Sequence, residues 1–218
     1  MKKLAAICLA VITSVFATTS VFAANVSDQI TDDTIITGDN IYAVAEYLGL
    51  GSDAVVPQET TKVSTVTVGE LKDKMAIAAT QPRMIYCVND APLNNEESVV
   101  APRASGTKTV YYNSQVGGSI GVTYSVTGTY YKGTSLKYWK TVTNSSISAD
   151  PTNAPYFHQI DAIHKQSAVV ENAYSSSSNI KFSYNYDVGS YLGVQGFAIR
   201  YWQVNIDGYT NFQGSTYL

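Results

Sequence analysis

Two histidines and the carboxylates near them are the groups of this sequence best suited to metal or acid–base chemistry. His158 and His164 are the only histidines, and Asp161 lies between them. Zinc-protease helices place two histidines at i and i+4, a spacing that this pair does not have. We keep Asp161, His158 and His164 as candidate metal ligands, but predict that both histidines are ordinary side chains at the surface or at a sheet edge. The sequence therefore predicts no metal and no other cofactor.

Candidate nucleophiles are equally few. We identify no Gly-x-Ser-x-Gly nucleophile elbow. Cys87 is the only cysteine outside the first 24 residues, and no local pattern pairs it with a histidine. Residues 104–218 contain five acidic side chains, but a predicted loop explains Asp150 and a predicted turn explains Asp207. This balance favours a protein that is not an enzyme, and a hydrolase with an unrecognised site remains an alternative.

Aromatic side chains are the residues that packing explains least. Residues 104–218 contain fourteen of the seventeen tyrosines and both tryptophans. Strict alternation through residues 136–143 puts Trp139 on the face opposite Tyr138, so Trp139 is exposed if Tyr138 faces the core. An exposed tryptophan beside tyrosines can stack on a sugar ring or anchor a protein contact, whereas the alternative is that these rings only fill the core. The candidate binding residues are Trp139, Tyr138, Tyr130, Tyr131 and Trp202.

The second half of the chain has the pattern of a β-protein. Residues 119–131 alternate between apolar and small polar side chains, and residues 179–188 alternate in the same way. Asp207-Gly208 predicts a type I′ hairpin turn. The candidate strands are 108–113, 119–131, 136–143, 160–170, 179–188, 193–206 and 209–217. We predict a mainly β fold, an antiparallel β-sandwich of about seven strands over residues 107–218, with a closed barrel as the alternative.

The first half is acidic and partly helical. Residues 25–103 carry twelve acidic and five basic side chains. Apolar residues from Ile41 to Leu48 recur at helical spacing. Thr67 and Glu70 fit a capping box, which predicts a second helix ending before Pro82. We therefore predict a small helical region over residues 25–90, followed by an exposed linker over residues 91–106 that is rich in Pro, Asn, Glu and Ser.

The N-terminus has the pattern of a secretory signal peptide. Lys2 and Lys3 precede a short apolar run, and Val21-Phe22-Ala23 matches a cleavage site. We assign residues 1–24 to this signal, with processing at Ala23, and expect a bacterial protein that is secreted to the extracellular space. No later segment of the sequence is long and apolar enough for a stable membrane span.

The leading functional hypothesis is a secreted, non-enzymatic protein that uses a Tyr- and Trp-rich β-sandwich to bind a cell-surface glycan or protein. Nucleic acid is not an expected partner, because neither half is strongly basic. The alternative is a secreted toxin or bacteriocin-like effector, whose acidic pro-region is released by cleavage near Arg103 in the linker. The position of the mature N-terminus distinguishes these two hypotheses.

Overall fold

The computed structural model describes residues 30–58, 65–90, 104–116, 120–149 and 155–218. The predicted signal peptide, with its processing site at Ala23, lies outside these residues, as does the cleavage site predicted at Arg103. The chain is mainly β with few helices, and its strands form antiparallel sheets after a small helical N-terminal part. The predicted fold class is therefore confirmed.

By its internal contacts the chain divides into two compact units. The described residues of the smaller unit are 30–58, 65–80, 155–156 and 191–201. Those of the larger unit are 81–90, 104–116, 120–149, 157–190 and 202–218. This division does not fall at the predicted linker, because residues 84–90 form a strand that pairs within the larger unit.

The described residues of the smaller unit include the α-helices α1 (Ile41–Tyr47) and α2 (Val68–Ala79) and the short strand β1 (Val55–Pro57). The capping box predicted for α2 is present. The Thr67 hydroxyl accepts a hydrogen bond from the Glu70 amide at 3.3 Å, and the Thr67 amide donates to the Glu70 carboxylate at 2.9 Å. These two bonds satisfy amides that the first helical turn leaves without partners.

Most of the larger unit consists of long strands in two sheets, and the ends of three of these strands, residues 156, 191–194 and 197–201, belong to the smaller unit. The strands are β2 (Met84–Asp90), β3 (Ala104–Val116), β4 (Ile120–Lys132), β5 (Lys137–Ala149), β6 (Tyr156–Glu171), β7 (Asn179–Val194) and β8 (Phe197–Gln213), followed by the helical turn α3 (Gly214–Tyr217). The first sheet, here called the small sheet, has the order β3-β4-β5 and is antiparallel throughout. In the second sheet β7 lies between β6 and β8, and β2 pairs with β8 in parallel.

The alternation predicted for β4 and β7 creates the core between these sheets. Every second residue of β4 from Ile120 to Val126 is buried, and so is every second residue of β7 from Ile180 to Val188. Tyr124 stacks on Tyr184 with ring centroids 4.6 Å apart, and its hydroxyl lies 2.7 Å from that of Tyr186. The hydroxyl pair satisfies polar atoms that would otherwise be costly to bury.

The hairpin turn predicted at Asp207-Gly208 is wrong, because β8 runs without interruption from Phe197 to Gln213. Gly208 lies opposite Cys87 in the parallel β2–β8 pair. A side chain at Gly208 would collide with the Cys87 carbonyl oxygen. The glycine is therefore required by the close approach of a neighbouring strand and not by a turn.

Candidate functional site

The predicted exposure of Trp139 is wrong: this side chain has 0% of its surface exposed. The pairing of β4 with β5 skips Lys140 and Thr143, so β5 contains two extra residues. Each extra residue reverses the alternation of side chains between the two faces of a strand. As a result Trp139 and Val142 both reach the core, although strict parity places them on opposite faces.

Trp139 acts as an internal anchor. Its indole Nε1 donates a hydrogen bond to the Phe212 carbonyl at 3.0 Å, and its backbone amide donates to the Ser178 hydroxyl at 2.9 Å. Tyr130 meets the indole edge-on, with ring centroids 6.4 Å apart, and is itself half-buried against the core. Trp139 and Tyr130 therefore hold the end of β5 in place, and neither presents a flat ring to solvent.

Three other tyrosines form a row on the outside of the larger unit, here called the tyrosine strip: Tyr131, Tyr138 and Tyr174. Tyr131 and Tyr138 are cross-strand partners whose rings stack at 5.1 Å with an angle of 26° between their planes. Tyr138 also contacts Tyr174, with centroids 5.5 Å apart. Two of the predicted binding residues are thus brought together, and the sequence analysis missed the third member of the row.

Tyr174 is held in an unusual backbone conformation. Its φ is +65°, and Asn172 in the same loop has φ +50°. A bulky residue in the left-handed region is an outlier that costs roughly 1–3 kcal/mol, and such strain concentrates at functional sites. The ring of Tyr174 is nevertheless 67% exposed, so core packing does not account for the strain.

Lys140 adds a positive charge beside the strip. Its Nζ lies 6.0 Å from the centre of the Tyr131 ring and 3.2 Å from the Ser105 hydroxyl, which belongs to the residue opposite Tyr131 on β3. Lys140 is also one of the two extra residues of β5. The same irregularity that buries Trp139 therefore places an ammonium group over an aromatic ring.

A hollow of about 250 Å³, here called the polar hollow, borders the loop that carries Tyr174. Its lining includes Glu171, Asn172, Ser176, Ser178, Asn179 and Gln213. The Glu171 carboxylate accepts a hydrogen bond from the Asn179 amide at 3.3 Å and lies 3.8 Å from the Lys181 ammonium. Hydroxyl, amide and carboxylate groups thus lie next to the exposed Tyr174. This combination suits a ligand that has both apolar faces and hydroxyl groups.

The three candidate metal ligands do not come together. His158 contacts the Ser190 hydroxyl at 2.9 Å, and burial lowers the pKa of this histidine. His164 contacts the Asp187 carboxylate at 2.8 Å. Within the part of the chain that the structure describes, no group of three or more His, Cys, Asp or Glu side chains could hold a metal ion. Asp161, the third candidate ligand, therefore belongs to no such group.

Asp187 forms the centre of a polar cluster that the sequence analysis did not predict. The Asn205 amide donates to its carboxylate at 2.8 Å, and His164 contacts the other carboxylate oxygen. Burial acts to raise the pKa of Asp187, but hydrogen bonds from Asn205, His164 and Gln203 outweigh it, so the pKa lies below its usual value. Among the described residues no hydroxyl is hydrogen-bonded to His164.

The comparisons with known proteins give no family. No protein-family model matches this chain, and no curated protein or solved structure matches it. The function is therefore inferred from the chemistry of the side chains. In the described ranges, none of the helices has the length and apolar character needed to cross a membrane.

Trp202, the remaining candidate binding residue, packs against the core in a half-buried position. Its indole Nε1 is buried and has no hydrogen-bond partner in the described part of the chain. Trp202 differs in this respect from Trp139, whose indole nitrogen is hydrogen-bonded. The structure does not place the Trp202 side chain in the tyrosine strip.

One nucleophile pattern was missed in the sequence. Residues 117–121 read Gly-Gly-Ser-Ile-Gly, which fits the Gly-x-Ser-x-Gly spacing. Residues 117–119 lie outside the described part of the chain, and the flanking elements are the antiparallel strands β3 and β4. A nucleophile elbow connects a strand to a helix, whereas the described elements on either side of this pattern are two antiparallel strands.

Proposed function

We propose that this protein is a secreted, non-enzymatic binding protein that holds a saccharide chain of a cell surface on its tyrosine strip. The observation that carries the proposal is the exposed and conformationally strained Tyr174, which extends the stacked pair of Tyr131 and Tyr138. Strain at an exposed ring favours a role in contacting another molecule, since it brings no burial in return.

The physical basis is the match between tyrosine and sugar. Each has an apolar face and polar groups at its edge, so a sugar ring can lie on the tyrosine while hydroxyl groups of both remain hydrogen-bonded. The polar hollow supplies side-chain amides and hydroxyls beside the strip. The strip rings are already in contact with one another, so little side-chain entropy is lost when a ligand binds.

The carboxylates near the strip favour binding over hydrolysis. Glycoside hydrolysis uses two acidic side chains on either side of the bond that is cleaved. Glu171 is the acidic residue among those that line the polar hollow in the described part of the chain, and it lies near Lys181. A single, partly neutralised carboxylate supports a hydrogen-bonding role for Glu171.

The direct test removes the central ring of the strip. We expect Tyr138→Ala to weaken binding to an immobilised cell-surface polysaccharide about tenfold, since contacts between aromatic rings contribute roughly 0.5–1.5 kcal/mol beyond burial. Tyr86→Ala is the control, because Tyr86 on β2 is strongly exposed and has no described ring neighbour. Equal affinities for the Tyr138→Ala variant and the unmodified protein would contradict the proposal, provided both melt at similar temperatures.

Secretion is tested separately. We expect intact-mass measurement and N-terminal sequencing of the protein released by its native host to give a chain that begins near residue 25. A chain that begins near residue 104 would instead support the effector hypothesis. That cleavage would also separate β2 covalently from β8, although Ile85 and Cys87 of β2 pack against the core of the larger unit.

A further inference from the structure

The small sheet has an unusual charge composition. Residues 104–149 contain four lysines and neither aspartate nor glutamate, although the chain as a whole has a formal net charge of −3. The lysines are Lys108, Lys132, Lys137 and Lys140. A sheet without carboxylates concentrates positive charge on one part of an otherwise acidic protein.

Two of these lysines form a like-charge pair. Lys132, at the end of β4, lies directly opposite Lys137, at the start of β5. Like charges at opposite positions destabilise an antiparallel pair. Burial lowers the pKa of the Lys132 ammonium, and the charges of Lys137 and Lys108 lower it further. The positive charges are therefore close enough to act on one another.

These charges have no internal counterion in the described residues: no carboxylate lies within 4.0 Å of any of the four ammonium groups. Lys108 donates to the Tyr217 carbonyl at 2.7 Å, and Lys140 donates to the Ser105 hydroxyl. Both acceptors are neutral. On the other sheet, in contrast, Lys181 lies near the carboxylate of Glu171.

Three of these lysines, Lys132, Lys137 and Lys140, lie at the same end of the small sheet as the tyrosine strip. Lys140 lies over the Tyr131 ring, whereas Lys132 and Lys137, next in sequence to Tyr131 and Tyr138, occupy positions of the opposite face at the end of the same hairpin. We propose that the saccharide bound by the strip is anionic, with a carboxylate or phosphate group bound by Lys140 and attracted by the positive charges of Lys132 and Lys137 at the hairpin end. This inference rests on the proposed function and names the chemical class of its ligand.

A polysaccharide fits these observations better than a nucleic acid does. Single-stranded nucleic acid also stacks on aromatic rings, but its affinity depends on a dense row of phosphate contacts. Three lysines at one end of a hairpin suit a ligand with widely spaced charges. The acidic residues elsewhere in the chain oppose a long, densely charged polyanion.

The test compares four probes on the mature full-length protein: polygalacturonate, poly(glycerol phosphate), neutral dextran and a single-stranded oligodeoxynucleotide. We expect one of the two anionic polysaccharides to bind at least about tenfold more tightly than dextran. We also expect its affinity to fall about tenfold between roughly 50 and 200 mM salt, since binding releases counterions. The carboxylate and phosphate probes distinguish the two sources of negative charge.

The variants separate charge from stacking. The single variant Lys140→Gln is expected to lose most of the preference for the anionic probe and most of the salt dependence. The double variant Lys132→Gln, Lys137→Gln should lose a smaller part. The control Lys74→Gln, Lys165→Gln makes the same change in net charge as the double variant, away from the small sheet, and should keep the preference. Removing one like-charge pair should raise the melting temperature of the double variant, so its loss of binding cannot be ascribed to unfolding.

Each contrary result has a distinct meaning. If dextran binds as tightly as the anionic probes and Tyr138→Ala still abolishes binding, the inference about charge is overturned and the proposed function stands. If the Lys140→Gln variant loses binding while Tyr138→Ala binds normally, the proposed function fails and this inference fails with it. Tightest binding of the oligodeoxynucleotide, or no binding of any polysaccharide, would overturn both.

Discussion

The two outward faces of the larger unit differ in how their polar groups are satisfied. On the small sheet, hydroxyl groups pair across strands, as in Thr129–Thr141 at 2.6 Å and Ser125–Ser146 at 2.8 Å, and Lys140 has no carboxylate partner among the described residues. On the other sheet, Asp187 is bound by His164 and Asn205, and Glu171 lies near Lys181. The second face neutralises its own charges, whereas the first leaves positive charge and aromatic rings available for a ligand.

This contrast shows why burial alone does not locate the site. Both sheets contribute fully buried alternating residues to one core, so their inward faces are alike. On the outward face of the small sheet, strand irregularities decide which side chains lie together. The extra residues of β5 bury Trp139 and place Lys140 beside Tyr131, and the strained loop before β7 adds Tyr174.

The largest predicted effect comes from removing the anchor beneath the small sheet. We expect Trp139→Ala to lower the free energy of unfolding by about 3–5 kcal/mol, because it leaves a cavity and removes the hydrogen bond to the Phe212 carbonyl. Denaturant unfolding measures this cost. A loss below about 1 kcal/mol would contradict the assignment of Trp139 as the anchor.

A matched pair of phenylalanine variants isolates that hydrogen bond. Trp139→Phe should cost about 1–3 kcal/mol more than Trp202→Phe, because only the Trp139 indole nitrogen has a hydrogen-bond partner among the described residues. Both variants remove the same atoms from a tryptophan packed against the core. Equal costs in denaturant unfolding would show that the Phe212 contact contributes nothing.

On the other face, the predicted effect depends on pH. The folded-state pKa of Asp187 is depressed, so its ionised form stabilises the fold above the unfolded-state pKa of about 3.9. That stability is lost as pH falls through the folded-state pKa. We expect Asp187→Ala to cost about 1–2 kcal/mol at pH 7, and the difference from the unmodified protein to shrink between about pH 5 and pH 2. Denaturant unfolding of both proteins at the two ends of this pH range measures the difference in their free energies of unfolding. A difference that does not change with pH would contradict the account.

Tyr174 should show opposite effects on stability and binding. We expect Tyr174→Gly to be about 1 kcal/mol more stable than Tyr174→Ala, because only glycine adopts a φ of +65° without strain. Both variants remove the ring and should bind the polysaccharide equally weakly. If the alanine variant is the more stable one, the strain at this position is not real.

The smallest predicted effect is a gain in stability. Lys132→Gln removes one of two like charges at opposite positions on β4 and β5, so we expect it to stabilise the fold by about 0.2–0.5 kcal/mol. The gain should vanish at high salt, which screens the repulsion. Lys165→Gln, on β6, is the control and should change stability less. A destabilised Lys132→Gln variant would mean that the lysine pair is not repulsive.

The core was predictable from the sequence because β4 and β7 follow strict alternation, as the burial of Val122 and Phe182 shows. The site was only partly predictable. The stacked pair Tyr131 and Tyr138 was among the candidates, but Trp139 was placed on the wrong face, because a β-bulge has no signature in a pattern of apolar and polar residues.

The other misses also arise from long-range structure. Asp207-Gly208 has the composition of a turn, but the parallel approach of β2 requires the glycine there, and no local pattern reveals a partner strand 120 residues earlier. The contribution of Tyr174 depends on a backbone conformation that tyrosine rarely adopts. Local composition predicts turns and strand faces, but it does not predict which distant segment approaches them.

The central claim is that a saccharide binds the outward face of the small sheet, and backbone amide chemical shifts measured during titration test it most directly. The ¹⁵N-labelled mature protein would be titrated with short oligosaccharides of the polymer that binds best. The account predicts shifts concentrated at Ser105, Tyr131, Tyr138, Lys140 and Tyr174, with little change at Asp187 and Asn205. Shifts centred on Asp187 and Asn205, or no saturable shifts at any position, would contradict it.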